Sequence, residues 1–243
     1  MLRSLKQLQD YKALSLDGPI GSVYDFYLDD HAWVIRYLIV DLGGWLPGRK
    51  VLIAPAALGQ PDWEGQLFPL KLTKEEIESS PDIDMDKPIS RQRQAELHRH
   101  YQWPMYWHTG GMLVPGGVVS SPDVAAEKET ERQQNDPYLR SSREIFGYHI
   151  QARDGEVGHV EDFIVEDGNW AINYMVIDTR NWLPGRKVLM SPHWIEQVKW
   201  LEHKVYFDLN QETIKNSPEY DPTAPVNREY EARLFDYYGR PKN

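Results

Sequence analysis

The side chains of this chain best suited to chemistry are four aspartates and a scatter of histidines. Asp25, Asp41, Asp162 and Asp178 stand within or at the ends of apolar, β-branched runs, where two facing carboxylates could share general acid and base work. Nothing in their spacing joins a pair of them to a nucleophile or a metal-binding histidine. Asp41 also has a structural use, because its carboxylate can hold backbone N–H groups of the Gly43-Gly44 turn that follows. His98 and His100 are two residues apart, which on a helix sends them to nearly opposite sides rather than toward one metal. The chain contains no cysteine, which excludes disulfides, thiolate metal sites, iron-sulfur clusters and a cysteine nucleophile.

Two other segments offer binding rather than catalysis. Trp45-Leu46-Pro47-Gly48-Arg49-Lys50 returns as Trp182-Leu183-Pro184-Gly185-Arg186-Lys187. Trp45, Arg49, Trp182 and Arg186 could therefore grip a protein partner, tryptophan and arginine being the residues that dominate binding hot spots. The plainer reading is a hairpin loop whose tryptophan plugs one end of a barrel while its arginine pairs nearby. The run Tyr101 to His108 is densely aromatic. Trp103 and Trp107 could form a docking strip for a protein or a membrane surface, or could cover a groove of their own domain. Gly110-Gly111 and Gly116-Gly117 lack the lysine and threonine of a phosphate loop, so nucleotide binding is unsupported.

The loop pair belongs to a longer repeat. Asp17-Gly18 recurs as Asp154-Gly155, an offset of 137 residues (154 minus 17), and the same offset relates Asp25-Phe26 to Asp162-Phe163, Trp33 to Trp170 and Tyr37 to Tyr174. It continues through Pro55 and Pro192, Glu75 and Glu212, Ser80-Pro81 and Ser217-Pro218, to Leu97 and Leu234. Two copies of one unit follow, at 1–104 and 142–243, separated by a Gly/Pro-rich and charged linker at 105–141. A duplicated active site should appear in both copies. At this offset His31, His98 and His100 face Gly168, Phe235 and Tyr237, so no histidine site is duplicated.

Within each copy the punctuation predicts short strands. Asp17-Gly18 signals a hairpin, Gly21 to Leu28 alternates, and Trp33 to Leu42 reads as a central strand. Leu46-Pro47-Gly48-Arg49 fits a type II turn, followed by strands over Lys50 to Ala54 and Gln66 to Leu72. Thr73 and Glu76 compose a capping box for a short helix from Lys74 to Ser79, and a second helix starts near Ser90.

The series Gly21-x-Val23-x-Asp25, the apolar strand, the glycine-arginine turn, Val51-Leu52-Ile53, Pro55 and Thr73-x-x-Glu76 with Pro81 resembles the PRC-barrel domain. That family includes the cytoplasmic domain of the photosynthetic reaction centre H subunit and the C-terminal domain of a ribosome-maturation factor. The resemblance covers some 80 residues of each copy. It implies a mainly β fold of two tandem small β-barrels, each followed by short helices. It implies binding and assembly rather than an enzyme.

Composition bounds the partners. A net charge of −10 repels phosphate backbones, so nucleic acid is not expected. The longest apolar runs fall far short of the ~20 residues that span a bilayer, and a soluble, cytoplasmic protein is the expectation. The expected function is a non-enzymatic module acting on a protein partner, with no cofactor and no metal and with a homodimer possible. Narrower alternatives are a soluble reaction-centre H-subunit-like protein attached to a membrane electron-transfer complex, and a ribosome-associated assembly factor.

Overall fold

The computed structural model describes residues 1–44, 46–81, 89–108, 139–179 and 186–239. Its elements confirm the repeat nearly residue for residue. In the first copy these are β1 (Leu2–Ser4), α1 (Leu5–Leu8), β2 (Lys12–Ser15), β3 (Gly18–Asp29), β4 (Val34–Asp41), β5 (Lys50–Ile53), β6 (Leu67–Pro69), α2 (Lys74–Glu78) and α3 (Arg91–His100). The second copy supplies β7 (Leu139–Ser141), α4 (Ser142–Ile145), β8 (His149–Ala152), β9 (Gly155–Glu166), β10 (Ile172–Asp178), β11 (Lys187–Met190), β12 (Ile195–Lys199), β13 (Lys204–Phe207), α5 (Gln211–Lys215) and α6 (Arg228–Tyr238). β3 and β9 begin and end 137 residues apart, so the duplicated sequence yields a duplicated backbone.

The local signals act as their chemistry demands. Arg49 N–H donates to the Leu46 carbonyl at 3.1 Å and Gly48 takes φ +79°, closing the type II turn. Thr73 and Glu76 form both halves of the capping box at the start of α2. Asp17, in the β2–β3 hairpin, accepts the N–H of Lys74 at 2.9 Å, and Asp154 accepts that of Gln211 at 2.7 Å. A turn aspartate thus anchors the following helix in each copy.

The protein is mainly β, with two mixed sheets. The chain divides into two compact units: the first holds Met1–Asp10, Asp25–Arg36 and Arg140–Asn243, the second Tyr11–Tyr24 and Tyr37–Leu139. The seven-stranded sheet of the first unit runs β11-β10-β9-β8-β13-β12, with β1 paired to β9; β8 and β13 are parallel. Its core is formed by Val160, Phe163, Ile164, Val165, Tyr174, Met175 and Leu189, all at most 2% exposed. The other sheet runs β5-β4-β3-β2-β6, with β7 paired to β3. In the second unit the core gathers Ala13, Val23, Tyr37, Leu38, Leu52, Phe68, Ile77 and Leu97.

The mainly β class expected is found, but the sheets are not closed into barrels: among the described residues each is an open path. Its edge strands are nevertheless neighbours in sequence. Met190 and Ile195 end and begin the two edges β11 and β12, and five residues reach about 18 Å, whereas six flat strands would set the edges about 24 Å apart. The sheet must therefore curl. The 3-10 turn Pro192–Trp194 carries the chain between these two edges.

One backbone feature is shared by both copies. Trp33 and Trp170 hold φ of 51° and 61°, a left-handed conformation rare for a bulky side chain. Both rings are buried. Inside the first unit Ile35 N–H donates to the Trp170 carbonyl and Ile172 N–H to that of Trp33, at 2.9 and 2.8 Å. Each ring meets a phenylalanine of the other copy: Trp33 with Phe163 and Trp170 with Phe26, both at 6.4 Å between centroids.

Candidate functional site

The first unit holds a cleft of about 210 Å³ lined by Ser4, Lys6, Glu161, Asp162, Lys187 and Tyr220, among others. β1 and α1 supply one wall and β9 the floor. Asp162 lies at its base, 8% exposed. One carboxylate oxygen accepts the N–H of Lys6 at 2.9 Å and of Phe163 at 2.7 Å; the other accepts the Ser4 hydroxyl. Burial wins over these donors and pushes the Asp162 carboxyl up to about 6. Beside it Lys187 pairs with Glu161 at 2.8 Å.

Asp25 repeats the arrangement in the other copy. It accepts the hydroxyls of Ser141 and Ser142 at 2.5 and 2.7 Å and the N–H groups of Phe26 and Arg143 at 2.7 and 3.3 Å. Burial raises its carboxyl as well, against the pull of the two serines. Ser4 and Ser141 each do two jobs. Each hydroxyl donates to an aspartate while accepting an N–H of its own short helix, from Gln7 and Glu144 at 3.1 and 3.2 Å. The lining differs between copies: Lys187 and Glu161 form an ion pair, while their counterparts Lys50 and Tyr24 make a cation–π contact at 4.5 Å.

Asp162 could in principle exchange a proton near neutral pH. Its oxygens, however, already receive three donors that belong to the fold, and Asp25 receives four. Each is a holding point for backbone and hydroxyl donors of its own fold. Asp41 accepts the Gly43 N–H at 2.9 Å, the turn-holding use that its position suggested. The carbonyl of Asp178 packs against Gly158, where an added Cβ would sit 2.0 Å from the oxygen; Gly21 abuts the Asp41 carbonyl at 1.9 Å in the same way.

Arg49 and Arg186 are half-buried and point inward. Arg49 donates to the carbonyls of Glu78 and Ser80, each at 2.6 Å, and Arg186 to that of Ser217 at 2.6 Å. Through these carbonyls Arg49 ties its glycine-arginine turn, and Arg186 the start of β11, to the end of the following short helix. Trp45 and Trp182 lie outside the described residues, as does 109–138 of the linker.

Trp103 and Trp107 converge on His98, at 5.9 and 5.0 Å between ring centroids. His98 is 3% exposed, with Nδ1 2.9 Å from the Pro104 carbonyl and Nε2 2.8 Å from the Tyr37 hydroxyl. A carbonyl can only accept, so Nδ1 carries the proton and bare Nε2 accepts from Tyr37. Burial holds His98 below its ordinary value and so favours this neutral form. Gln94 completes the network by accepting the Tyr106 hydroxyl at 2.6 Å. His100 turns the other way, to the Glu76 carbonyl at 3.0 Å. In the second copy Tyr174 donates to Glu231 at 2.8 Å, and Phe235 stands where His98 stands in the first. The aromatic run therefore covers its own unit's core.

Sequence reasoning missed Ser4 and Ser141. A signal was present, since Leu2-Arg3-Ser4 recurs as Leu139-Arg140-Ser141 at the repeat offset, but the tripeptide lies ahead of the stretch in which most identities fall.

No family model matches the chain. Over 99 residues it is 35% identical to an uncharacterised protein of Deinococcus radiodurans, an alignment that covers 35% of this chain and 35% of that protein's length. Among the described residues no helix is long and apolar enough to cross a membrane.

Proposed function

We propose that this protein is a tandem PRC-barrel-like binding module, acting through protein–protein contacts and not as an enzyme. The observation that carries this reading is the duplicated use of its best-placed polar groups: Asp25 and Asp162, like Arg49 and Arg186, hold backbone or neighbouring hydroxyls of their own fold. Groups engaged in this way position loops and are not poised to meet a substrate. Lys6 and Lys187 line the cleft, and elsewhere Leu201 is fully exposed on the turn between β12 and β13, side chains of the kinds a protein partner can use. The net charge of −10 favours a protein partner over ribosomal RNA.

The deciding experiment is size fractionation of the tagged full chain, expressed at native level in its own cells. The module reading expects migration well above 28.4 kDa with a defined co-migrating protein, and loss of that complex in Leu201→Asp. A free chain in the cell that turns over a metabolite, with turnover abolished in Asp162→Asn, is the result that overturns it.

A further inference from the structure

β3 and β9 are twelve residues long, yet along one edge each is paired with the preceding strand of its own copy only over its first half. In β9, Glu156 to His159 pair with β8, while Ile164, Val165 and Glu166 pair with Ser4, Arg3 and Leu2 of the other copy. The arm Met1–Leu8 thus serves as a peptide ligand docked on a strand edge, with Leu5 and Leu8 fully buried and Ser4 bonded to Asp162. β7 and α4 occupy the matching place against β3 and Asp25. Each copy completes the other by reciprocal exchange of an arm.

We propose that the outer edge of β9 is a strand-docking site whose partner is the Leu-Arg-Ser arm of a second copy of this chain, so that two chains exchange residues 1–8 and form a dimer. One observation favours the first arm. Its hinge places Asp10 at φ 68°, whereas the equivalent hinge of the second copy has Gly147 at 89°, where glycine bears that conformation without a side chain. In the exchanged dimer every arm contact is kept and the hinge is free to relax, so the closed monomer is favoured only by its effective local concentration, on the order of 1 mM. Exchange is therefore a property of concentrated or co-assembled chains. It stands apart from the proposed function, since a chain that does not exchange arms is still able to bind another protein.

Because the chain lacks cysteine, the site can be tested by disulfide trapping. Leu2 and Glu166 are register partners and both are partly exposed, so cysteines there lie within bonding range. Full-length Leu2→Cys and Glu166→Cys chains are mixed at high concentration, oxidised and weighed by mass spectrometry. Exchange yields the mixed disulfide several-fold above either same-residue pair, and Asp10→Gly in the first chain lowers that yield. Same-residue pairs at random proportion, or unreacted thiols, overturn the proposal. If the cysteine chains do not fold, sedimentation of the unaltered chain decides. A species of twice 28.4 kDa that grows with concentration supports exchange, and a monomer at millimolar concentration overturns it.

Discussion

Ser4 donates its hydroxyl to the carboxylate of Asp162 across 158 positions of sequence, and Ser141 does the same for Asp25 across 116. Each contact joins the arm of one copy to the long strand of the other. Ser4→Ala should leave a buried carboxylate short of one of three donors and cost about 1–3 kcal/mol in denaturant unfolding. Ser141→Ala should cost less, because Ser142 also donates to Asp25.

Asp162 makes stability depend on pH in an unusual direction. The folded carboxyl takes up its proton near 6 and the unfolded one near 3.8, so the native state binds the proton preferentially across that window. The contribution is fully present below 3.8 and is lost as pH rises through 6. Its ceiling is on the order of 3 kcal/mol. Asp162→Asn should flatten the change of Tm between pH 4 and pH 6.5 relative to the parent chain.

His98 works with the opposite sign. Burial depresses its folded value below the ordinary 6.5, so stability is lost as pH falls below 6.5 and the unfolded state gains the proton first. Nitrogen NMR should find His98 titrating below its ordinary 6.5, with the neutral form carrying its proton on Nδ1 and bare Nε2 shifted in Tyr37→Phe.

Arg49→Lys should destabilise the second unit by about 1–2 kcal/mol, since one ammonium cannot replace the fork that reaches both Glu78 and Ser80. Thermal unfolding of Arg49→Lys and Arg186→Lys measures this. A surface grip for a partner would leave Tm unchanged and weaken the complex alone.

Gly21→Ala and Gly158→Ala should each cost about 3 kcal/mol or more, because a methyl group would sit within 2.0 Å of a backbone carbonyl that belongs to a paired strand. Failure to accumulate as folded protein, read by circular dichroism and limited proteolysis, is the expected outcome for both.

The sequence alone determined the duplication, the punctuation of each copy and the local chemistry of its turns. Asp17-Gly18, Pro47-Gly48 and the Thr73–Glu76 box act within a few residues of themselves, and their conformational preferences are set by φ, steric room and short hydrogen bonds. Tertiary structure decided what each polar group faces. Arg49 looked like a grip and Asp162 like an acid, and which carbonyl or hydroxyl stands opposite them depends on strands far away in the chain. It also decided that residues 2–8 complete the strand of the other copy. Three residues of strand carry almost no periodicity, and two copies with the same Leu-Arg-Ser arm leave docking at home or across the repeat undecided in sequence; the path of the backbone at Asp10 and Gly147 breaks that tie.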